Sequence, residues 1–284
     1  MIQLPFTVDL QSKVVVVTGG SGVLGSTMCE ALAKCGAKVA ILATNQEKMD
    51  TLVKKIRESG GTAEGFEVDV LNKDSLERAH EQLTSTFGST DILINAAGGN
   101  HTKATTTTEK LKIEDIYDDS NRTFFDLDPE SLDWLLRLNY MGTLLPIQVF
   151  SKDMAGKKGG SVINVSSMNG FRPLTKIPAY SGAKAAINNL TQWLSVYYSD
   201  VGIRVNAIAP GFFLTKQNET LLLTEEGEYT DRAKKIIEHT PLGRFGDAKE
   251  LLGTLLWLID SQSSSFVNGV VIPVDGGFSA YSGV

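Results

Sequence analysis

The chain has 284 residues, of which 42% are hydrophobic and 21% are charged, and its formal net charge is -6. This size and composition predict one globular domain that needs no disulfide or metal for stability, and the acidic balance excludes the basic footprint of a nucleic-acid-binding protein. No apolar run approaches the about 20 residues of a membrane-spanning helix, and the first residues lack a signal-peptide pattern, so we expect no membrane partner. Cys29 and Cys35 fall on different faces of one predicted helix, and two free thiols indicate the reducing cytoplasm.

Strands and helices alternate along the chain. The β-branched run at 13–18 predicts a strand buried on both faces, and further strands are predicted at 39–42, 65–70, 92–95, 161–165, 204–208 and 270–274. Helices are predicted at 26–35 with Gly36 as the cap, then up to about residue 59, and at 73–87, 132–150, 180–198 and 248–259. The alternation predicts an α/β fold over residues 1–284, a single-domain, Rossmann-like, doubly wound parallel sheet with helices on both faces.

Two long segments, 98–129 and 212–244, interrupt this alternation. Loops of this length in a compact domain are usually functional or disordered. Each segment follows the carboxyl end of a predicted strand, and ligands of open α/β sheets bind at that edge. We therefore expect both segments to be substrate-side loops.

A glycine-rich turn separates the first predicted strand from the first helix. Its residues Thr18 to Gly25 read TGGSGVLG, which fits both G-x-G-x-x-G and T-G-x-x-G-x-x-G. Glycines permit positive φ and close approach of the backbone to a pyrophosphate, which the N–H groups of a helix N-terminus bind. The strand before and the helix after the turn favour a dinucleotide site over a turn without a ligand. The predicted cradle comprises Gly19, Gly20, Ser21, Gly22, Val23, Leu24 and Gly25.

A tyrosine and a lysine four residues apart, Tyr180 and Lys184, begin a predicted helix. Residues at this spacing share one helical face, so a phenol and an ammonium lie side by side. A nearby positive charge favours the phenolate form. The pair therefore predicts a tyrosine that exchanges a proton with a substrate oxygen near neutral pH.

The order of these motifs resembles the short-chain dehydrogenase/reductase family over nearly the whole chain. The glycine turn, Asp69, the NAAG at 95–98, Asn139, the paired serines at 166–167, YxxxK and the PGxxxT at 210–215 follow one another as in that family. The resemblance implies that Tyr180 is the catalytic acid/base and that Ser167 holds the substrate carbonyl or hydroxyl. It also implies that Lys184 lowers the tyrosine pKa and binds the nicotinamide ribose, with Asn139 supporting a proton relay through this lysine and a water.

The same resemblance implies an NAD or NADP cofactor. Asp69 and Val70 would contact the adenine, and Thr215 would reach the nicotinamide carboxamide. The floor and wall of the cofactor site would comprise Asn95, Ala96, Ala97, Gly98, Pro210, Gly211 and Phe213.

The choice between NAD and NADP stays open. Ala43 stands where an NAD-preferring member carries an acidic residue for the ribose 2′-hydroxyl, and no arginine is present there for a 2′-phosphate. Thr44, Asn45 and Lys48 could bind such a phosphate weakly.

The glycine spacing itself is typical of the extended branch of the family, which acts on sugar nucleotides. The compact branch has glycine where this chain has Val23. The other motifs favour the compact branch, so we interpret Gly22 as moving the flexible position of the turn one residue earlier.

Several stretches, among them GGNHTKATT at 98–106 and HTPLGRFG at 239–246, are similar to the group named D-mannonate oxidoreductase or fructuronate reductase. The resemblance implies interconversion of D-mannonate and D-fructuronate. A sugar acid requires a cation for its carboxylate and hydrogen-bonding groups for its hydroxyls. The predicted substrate residues are Asn100, His101, Lys103, Met168, Asn169 and Arg172. We expect His80 and His239 to be structural or surface residues, and no residue set has metal-ligand spacing.

Other assignments compete with this one. A related polyol or keto-acid reductase, such as a gluconate 5-dehydrogenase, is the alternative enzyme. A dinucleotide-sensing regulator without catalysis is an alternative of another class, and an extended-type epimerase is a third. In this family the chain end often packs at subunit interfaces, so the resemblance implies that the tail at 276–284 contributes to a homotetramer.

Overall fold

A parallel sheet forms the centre of the fold. The computed structural model describes residues 8–214 and 222–283. Its strands are β1 (Val14–Thr18), β2 (Lys38–Ala43), β3 (Thr62–Glu67), β4 (Ile92–Asn95), β5 (Gly160–Val165), β6 (Ile203–Pro210) and β7 (Val271–Val274). They pair in the order β3-β2-β1-β4-β5-β6-β7, and every pair is parallel. The chain runs from β1 to one edge and returns to β4 on the other side of β1, which opens a crevice at the carboxyl ends of these two strands.

Helices cover both faces of the sheet, as predicted. They are α1 (Val23–Lys34), α2 (Gln46–Glu58), α3 (Lys73–Phe87), α4 (Pro129–Leu136), α5 (Gly142–Phe150), α6 (Pro178–Tyr197), α7 (Asp231–Glu238) and α8 (Leu252–Ile259). Alternate residues of β1 enter two cores: Val15 and Val17 pack with α1, α2 and α8, and Val14 and Val16 pack with α3, α5 and α6. No helix of the described residues is long and apolar enough to cross a bilayer.

The end of α1 follows the predicted glycine pattern. Gly36 has φ +93°, its N–H donates to the Ala33 carbonyl at 3.0 Å, and the Ala37 N–H donates to the Leu32 carbonyl at 3.2 Å. This pair of bonds is the Schellman motif, which favours glycine at the left-handed position.

Most predicted bounds differ from the observed ones by a few residues, and two predicted elements were wrong by more. The third strand covers 62–67 rather than 65–70, because Val68 and Val70 are buried in the connection to α3 and imitate a strand pattern. The predicted helix at 132–150 is divided into α4, a π-helical turn at Arg137–Met141, and α5. In the π turn the Asn139 side-chain amide donates to the Leu135 carbonyl at 2.9 Å and to the Gly99 carbonyl at 2.8 Å. The side chain thus donates to the Leu135 carbonyl, which in a regular helix accepts a backbone N–H.

The two long segments contain local structure of their own. Residues 98–129 hold short 3-10 turns at Thr102–Ala104, Glu114–Tyr117 and Phe124–Asp126. The segment 212–244 contains α7, which the sequence analysis missed although Ala233 and Ile236 form a buried stripe on it. An ion pair between Glu109 and Lys235 joins the two segments.

Candidate functional site

A cleft of about 540 Å³ opens at the carboxyl ends of β1 and β4. It lies at the switch point of the sheet, where open α/β folds bind their ligands. The predicted cofactor residues that line it are Gly19, Ser21, Gly22, Val23, Leu24, Gly25, Thr44, Asn45, Asp69, Val70, Ala96, Ala97, Gly98, Tyr180, Lys184, Pro210, Gly211 and Phe213. Thr215 lies outside the described residues.

The glycine turn leaves no room for side chains at two of its positions. Gly19 has φ +62°, and a Cβ on it would lie 2.8 Å from the Ala97 backbone. A Cβ on Gly25 would overlap the Gly19 carbonyl oxygen. The first turn of α1 carries no acidic residue, and within the described chain no side chain caps its N-terminus. The uncapped N–H groups and the close backbones fit the pyrophosphate of NAD or NADP.

The role expected for Gly22 differs in the structure. The left-handed residue of the turn is Gly19, whereas Gly22 has φ -73° and ψ 171°, an ordinary extended conformation. Gly22 instead closes the turn, because its N–H donates to the Gly19 carbonyl at 2.9 Å. The shift of the flexible position to Gly22 was therefore wrong, and Val23 simply begins α1.

Two predicted cofactor residues are absent from the described lining of the cleft. Asn95 is buried and donates through Nδ2 to Asn164 Oδ1 at 2.9 Å, which links β4 to β5. Its Oδ1 has no partner among the described residues. Gly20 faces the sheet, since a Cβ there would lie 2.9 Å from Ile41 Cγ2. The family pattern placed both in the cleft, but their contacts with β5 and β2 hold them on the side of the sheet.

The far end of the cleft is formed by the carboxyl ends of β2 and β3. Ala43, Thr44, Asn45 and Lys48 line it. The Asn45 Oδ1 accepts the Lys48 N–H at 2.9 Å and so caps α2. The Asp69 Oδ1 accepts the Leu71 N–H at 2.9 Å. The uncharged Ala43 and the cationic Lys48 leave this end compatible with either a 2′-hydroxyl or a 2′-phosphate.

The opposite end of the cleft holds the predicted catalytic group. Ser167 follows β5 and begins the 3-10 turn Met168–Gly170, and its hydroxyl lies close enough to Tyr180 of α6 to lower the pKa of that phenol. Lys184 lies one turn later in α6, is 4% exposed, and donates to the Val165 carbonyl at 3.0 Å. Burial lowers the pKa of Lys184 to about 8. Three groups that can hold and transfer a proton thus converge on one end of the cofactor cleft.

The pKa of Tyr180 moves in the direction opposite to the one expected. Burial raises the pKa of this phenol, and the hydrogen bond with Ser167 offsets part of the rise. Desolvation disfavours the charged phenolate. The ammonium of Lys184 lies 5.5 Å from the centre of the phenol ring.

Asn139 supports the cofactor wall. It is fully buried, and its Oδ1 accepts the Gly99 N–H at 3.3 Å while its Nδ2 donates to the Gly99 carbonyl at 2.8 Å. A Cβ on Gly98 would lie 2.7 Å from the Asn139 Oδ1 and 3.4 Å from the Lys184 Nζ. The Gly98 backbone therefore lies against both Asn139 and Lys184, and the Asn139 amide is engaged by the Gly99 backbone.

The six predicted substrate residues are not part of the described cleft lining. Met168 and Asn169 are buried, because the 3-10 turn folds their side chains inward. His101 packs edge-on against Trp134, with ring centres 5.4 Å apart. The exposed residues are Asn100, Lys103 and Arg172.

The sequence analysis also missed residues that line the cleft, namely Leu42, Val68, Gly99, Leu138, Val165, Ser166 and Phe212. Five of them are direct chain neighbours of a predicted residue, whereas Leu42 and Val165 lie at the carboxyl ends of β2 and β5. Proximity in the sequence to a predicted residue could have found these five, whereas no residue type marks the two strand ends.

Comparison with known proteins gives a consistent result. The family model described as short chain dehydrogenase matches residues 13–226. An uncharacterized oxidoreductase from Haemophilus influenzae is 55% identical over 276 residues, covering 97% of this chain and 96% of that protein. A crystal structure from Haemophilus influenzae with bound NAD, provisionally described as a D-mannonate oxidoreductase, has a TM-score of 0.94 at 55% identity and covers 97% of this chain and 98% of that chain. A gluconate 5-dehydrogenase from Burkholderia cenocepacia, in complex with NADP and tartrate, has a TM-score of 0.82 at 27% identity, covering 97% of this chain and 98% of that chain.

Proposed function

Because this chain belongs to the short-chain dehydrogenase/reductase family, we propose that it interconverts a sugar acid and its keto form, with D-mannonate and D-fructuronate as the pair. The protein is an NAD(P)-dependent oxidoreductase. The observation that carries the proposed reaction is the meeting of Ser167, Tyr180 and Lys184 at one end of the cofactor cleft.

Each of the three residues has a distinct part in the reaction. The bound nicotinamide supplies or accepts the hydride at the substrate carbon. Ser167 donates a hydrogen bond to the substrate oxygen, and Tyr180 gives that oxygen a proton or takes one from it. Because burial raises the Tyr180 pKa, the phenol is protonated at neutral pH, which is the form that reduces a ketone. The positive charge of Lys184 then stabilises the phenolate that remains.

A carboxylate substrate is supported by the charges on the substrate side. Arg172 follows the 3-10 turn after Ser167, and Lys176 precedes α6. The pKa of Glu109 is lowered, first by its hydrogen bond with Lys235 and further by the charges of Lys176 and Arg232. Lys176, Arg232 and Lys235 thus lie close enough to a carboxylate to lower its pKa, and they are candidate partners for the carboxylate of an acidic sugar. The similarity to the provisional D-mannonate oxidoreductase supports the hexuronate assignment.

The experiment that tests the function is a matrix of initial rates. NADH and NADPH are each combined with D-fructuronate, D-tagaturonate, 5-keto-D-gluconate and several neutral ketones. The proposal expects the highest kcat/KM with D-fructuronate. If neutral ketones are reduced and no keto acid is, the sugar-acid assignment is overturned. A preference for 5-keto-D-gluconate would establish the alternative of a gluconate 5-dehydrogenase, which the likeness to the Burkholderia cenocepacia enzyme supports.

A Tyr180→Phe variant separates catalysis from cofactor sensing. We expect it to lose turnover and to keep nicotinamide binding, because the phenol ring remains and only the proton is lost. If a cellular response that depends on this protein persists in the Tyr180→Phe variant, the dinucleotide-sensing regulator is favoured over the enzyme. An extended-type epimerase would retain its cofactor tightly and give no net oxidation.

The predicted homotetramer and cytoplasmic compartment remain proposals. The tail packs within its own chain, with Phe278 against Phe212 at 5.2 Å and Tyr281 against His239 at 6.4 Å between ring centres. An exposed pair on α6, Trp193 and Tyr197, stacks at 4.7 Å and supports association. Light scattering after gel filtration measures the oligomeric state directly.

A further inference from the structure

The proposed reaction requires two residues on separate elements to stay aligned. Ser167 belongs to the connection after β5, whereas Tyr180 belongs to α6. A reacting group misplaced by about 1 Å can lose about 100-fold in rate. The contacts between this connection and α6 therefore determine whether the hydroxyl and the phenol face the same substrate oxygen.

One side chain of α6 contacts the connection on both sides of Ser167. Asn188 lies one turn beyond Lys184, and its Oδ1 accepts a hydrogen bond from the Ser166 hydroxyl. On the other side, a Cβ on Gly170 would lie 2.6 Å from the Asn188 Nδ2 and 2.9 Å from the Lys184 carbonyl oxygen. The 3-10 turn thus rests directly on the Asn188 amide, and only glycine permits that approach.

Ser166 is itself fixed by its surroundings. It is 2% exposed, its N–H donates to the Ile208 carbonyl of β6 at 2.8 Å, and its hydroxyl lies 3.3 Å from the Lys184 carbonyl oxygen. A side chain that binds Ser166 is therefore anchored to the sheet. Asn188 does not belong to the described lining of the cleft, so it acts through its neighbours.

We propose that Asn188 is a positioning residue that holds the 166–170 connection against α6 and thereby sets the distance between Ser167 and Tyr180. The inference rests on the proposed function of these two residues. Lys184 also ties the end of β5 to α6 through the Val165 carbonyl, but that bond involves a group with a role of its own in the reaction. The Asn188 contact is independent of it.

The test compares Asn188→Leu, which keeps the size and removes the hydrogen bond from Ser166, with Asn188→Asp, which keeps an acceptor for Ser166. Asn189→Leu is the matched control, because this neighbour is exposed on the same helix. We expect kcat to fall about 10- to 100-fold in Asn188→Leu with nicotinamide Kd and Tm close to the wild type. Asn188→Asp should recover part of this loss, and Asn189→Leu should keep the wild-type kcat.

Two further measurements distinguish positioning from a general loss of structure. In a double-mutant cycle, Ser166→Ala combined with Asn188→Leu should lose no more kcat than the more damaging single variant, because both remove one contact. The Ser167 hydrogen bond lowers the Tyr180 pKa, so its misalignment should move the alkaline limb of the sugar-acid oxidation profile to higher pH. Three results would each overturn the inference. The first is a rate loss that matches a fall in Tm or in cofactor binding, and the second is additivity of the kcat losses of the two single variants. The third is an unchanged kcat in Asn188→Leu.

Failure of the proposed function gives a different result. If Tyr180→Phe keeps full turnover, the assignment of the reacting residues fails. If Tyr180→Phe is inactive and Asn188→Leu is fully active, only the positioning inference fails. Should Asn188→Leu not fold, Ser166→Ala alone carries the test, since it deletes the other end of the same hydrogen bond and a wild-type kcat would overturn the inference.

Discussion

The ammonium nitrogen of Lys184 lies 5.5 Å from the centre of the Tyr180 ring. The lysine thus faces the ring of the phenol, while its N–H groups donate to the Val165 carbonyl at 3.0 Å. Burial affects both groups in this arrangement, since it raises the pKa of Tyr180 and lowers that of Lys184 to about 8. A phenol that is neutral at neutral pH thus lies beside an ammonium that loses its proton near pH about 8, and each pKa shift has measurable consequences.

The rate of ketone reduction should depend on the charge of Lys184. With a pKa of about 8, this ammonium is charged below that pH and neutral above it. Reduction should therefore be constant through neutral pH and should decline through pH about 8, while Tyr180 is still protonated. Initial rates between pH about 6 and about 10 measure the profile. In Lys184→Arg the side chain stays charged, so the decline should disappear. A midpoint above pH about 10 would instead assign the decline to Tyr180.

Replacing Lys184 by methionine should stabilise the protein while abolishing turnover. The lysine pKa is about 8 in the folded chain against its ordinary value of 10.5. Folding is therefore penalised below pH about 8, and the penalty disappears as the pH rises toward 10.5. Lys184→Met keeps the volume and should add about 1–3 kcal/mol to the free energy of unfolding at neutral pH. Denaturant unfolding at pH about 7 and about 10 should show a smaller difference at the higher pH. Lys54→Met, at an exposed position, is the control. A destabilised Lys184→Met would show that the hydrogen bond to the Val165 carbonyl stabilises the protein by more than the buried charge destabilises it.

A single carboxylate at the end of β2 should decide the cofactor preference. Ala43 lines the cleft where a 2′-phosphate would lie, and Lys48 is the cation nearby in the sequence. In Ala43→Asp the new charge repels that phosphate and accepts from a 2′-hydroxyl, so the kcat/KM ratio of NADH to NADPH should rise about 10- to 100-fold. Ala43→Asn adds the same shape without the charge. Equal ratios in the two variants would show that charge does not control the choice.

Two glycines of the cofactor turn should respond differently to an added methyl group. A Cβ on Gly25 overlaps the Gly19 carbonyl oxygen, whereas a Cβ on Gly22 lies 3.1 Å from it. Gly25→Ala should therefore weaken NAD(H) binding more than about 10-fold and cost about 1–3 kcal/mol of stability, because the backbone must shift. Gly22→Ala should change both by much less. Calorimetric titration and thermal unfolding compare them, and equal losses would contradict the steric explanation.

Local residue patterns determined much of this protein without the structure. The valine run of β1, the glycine turn after it and the helix N-terminus form a continuous stretch, so their chemistry is readable from neighbouring residues alone. The spacing of Tyr180 and Lys184 is likewise local, because a helix places residues four apart on one face. The alternation of strands and helices gave the doubly wound parallel sheet for the same reason.

Only the tertiary structure decided features that depend on distant partners. The break of the predicted helix at Asn139 depends on the Gly99 backbone, 40 positions away. Asn95 points to Asn164, 69 positions away, instead of the cleft. The direction of the Tyr180 pKa depends on how much water the fold removes from the phenol. Hydrogen bonds between remote segments and desolvation arise only when the chain is folded, so residue type and spacing carry no signal for them.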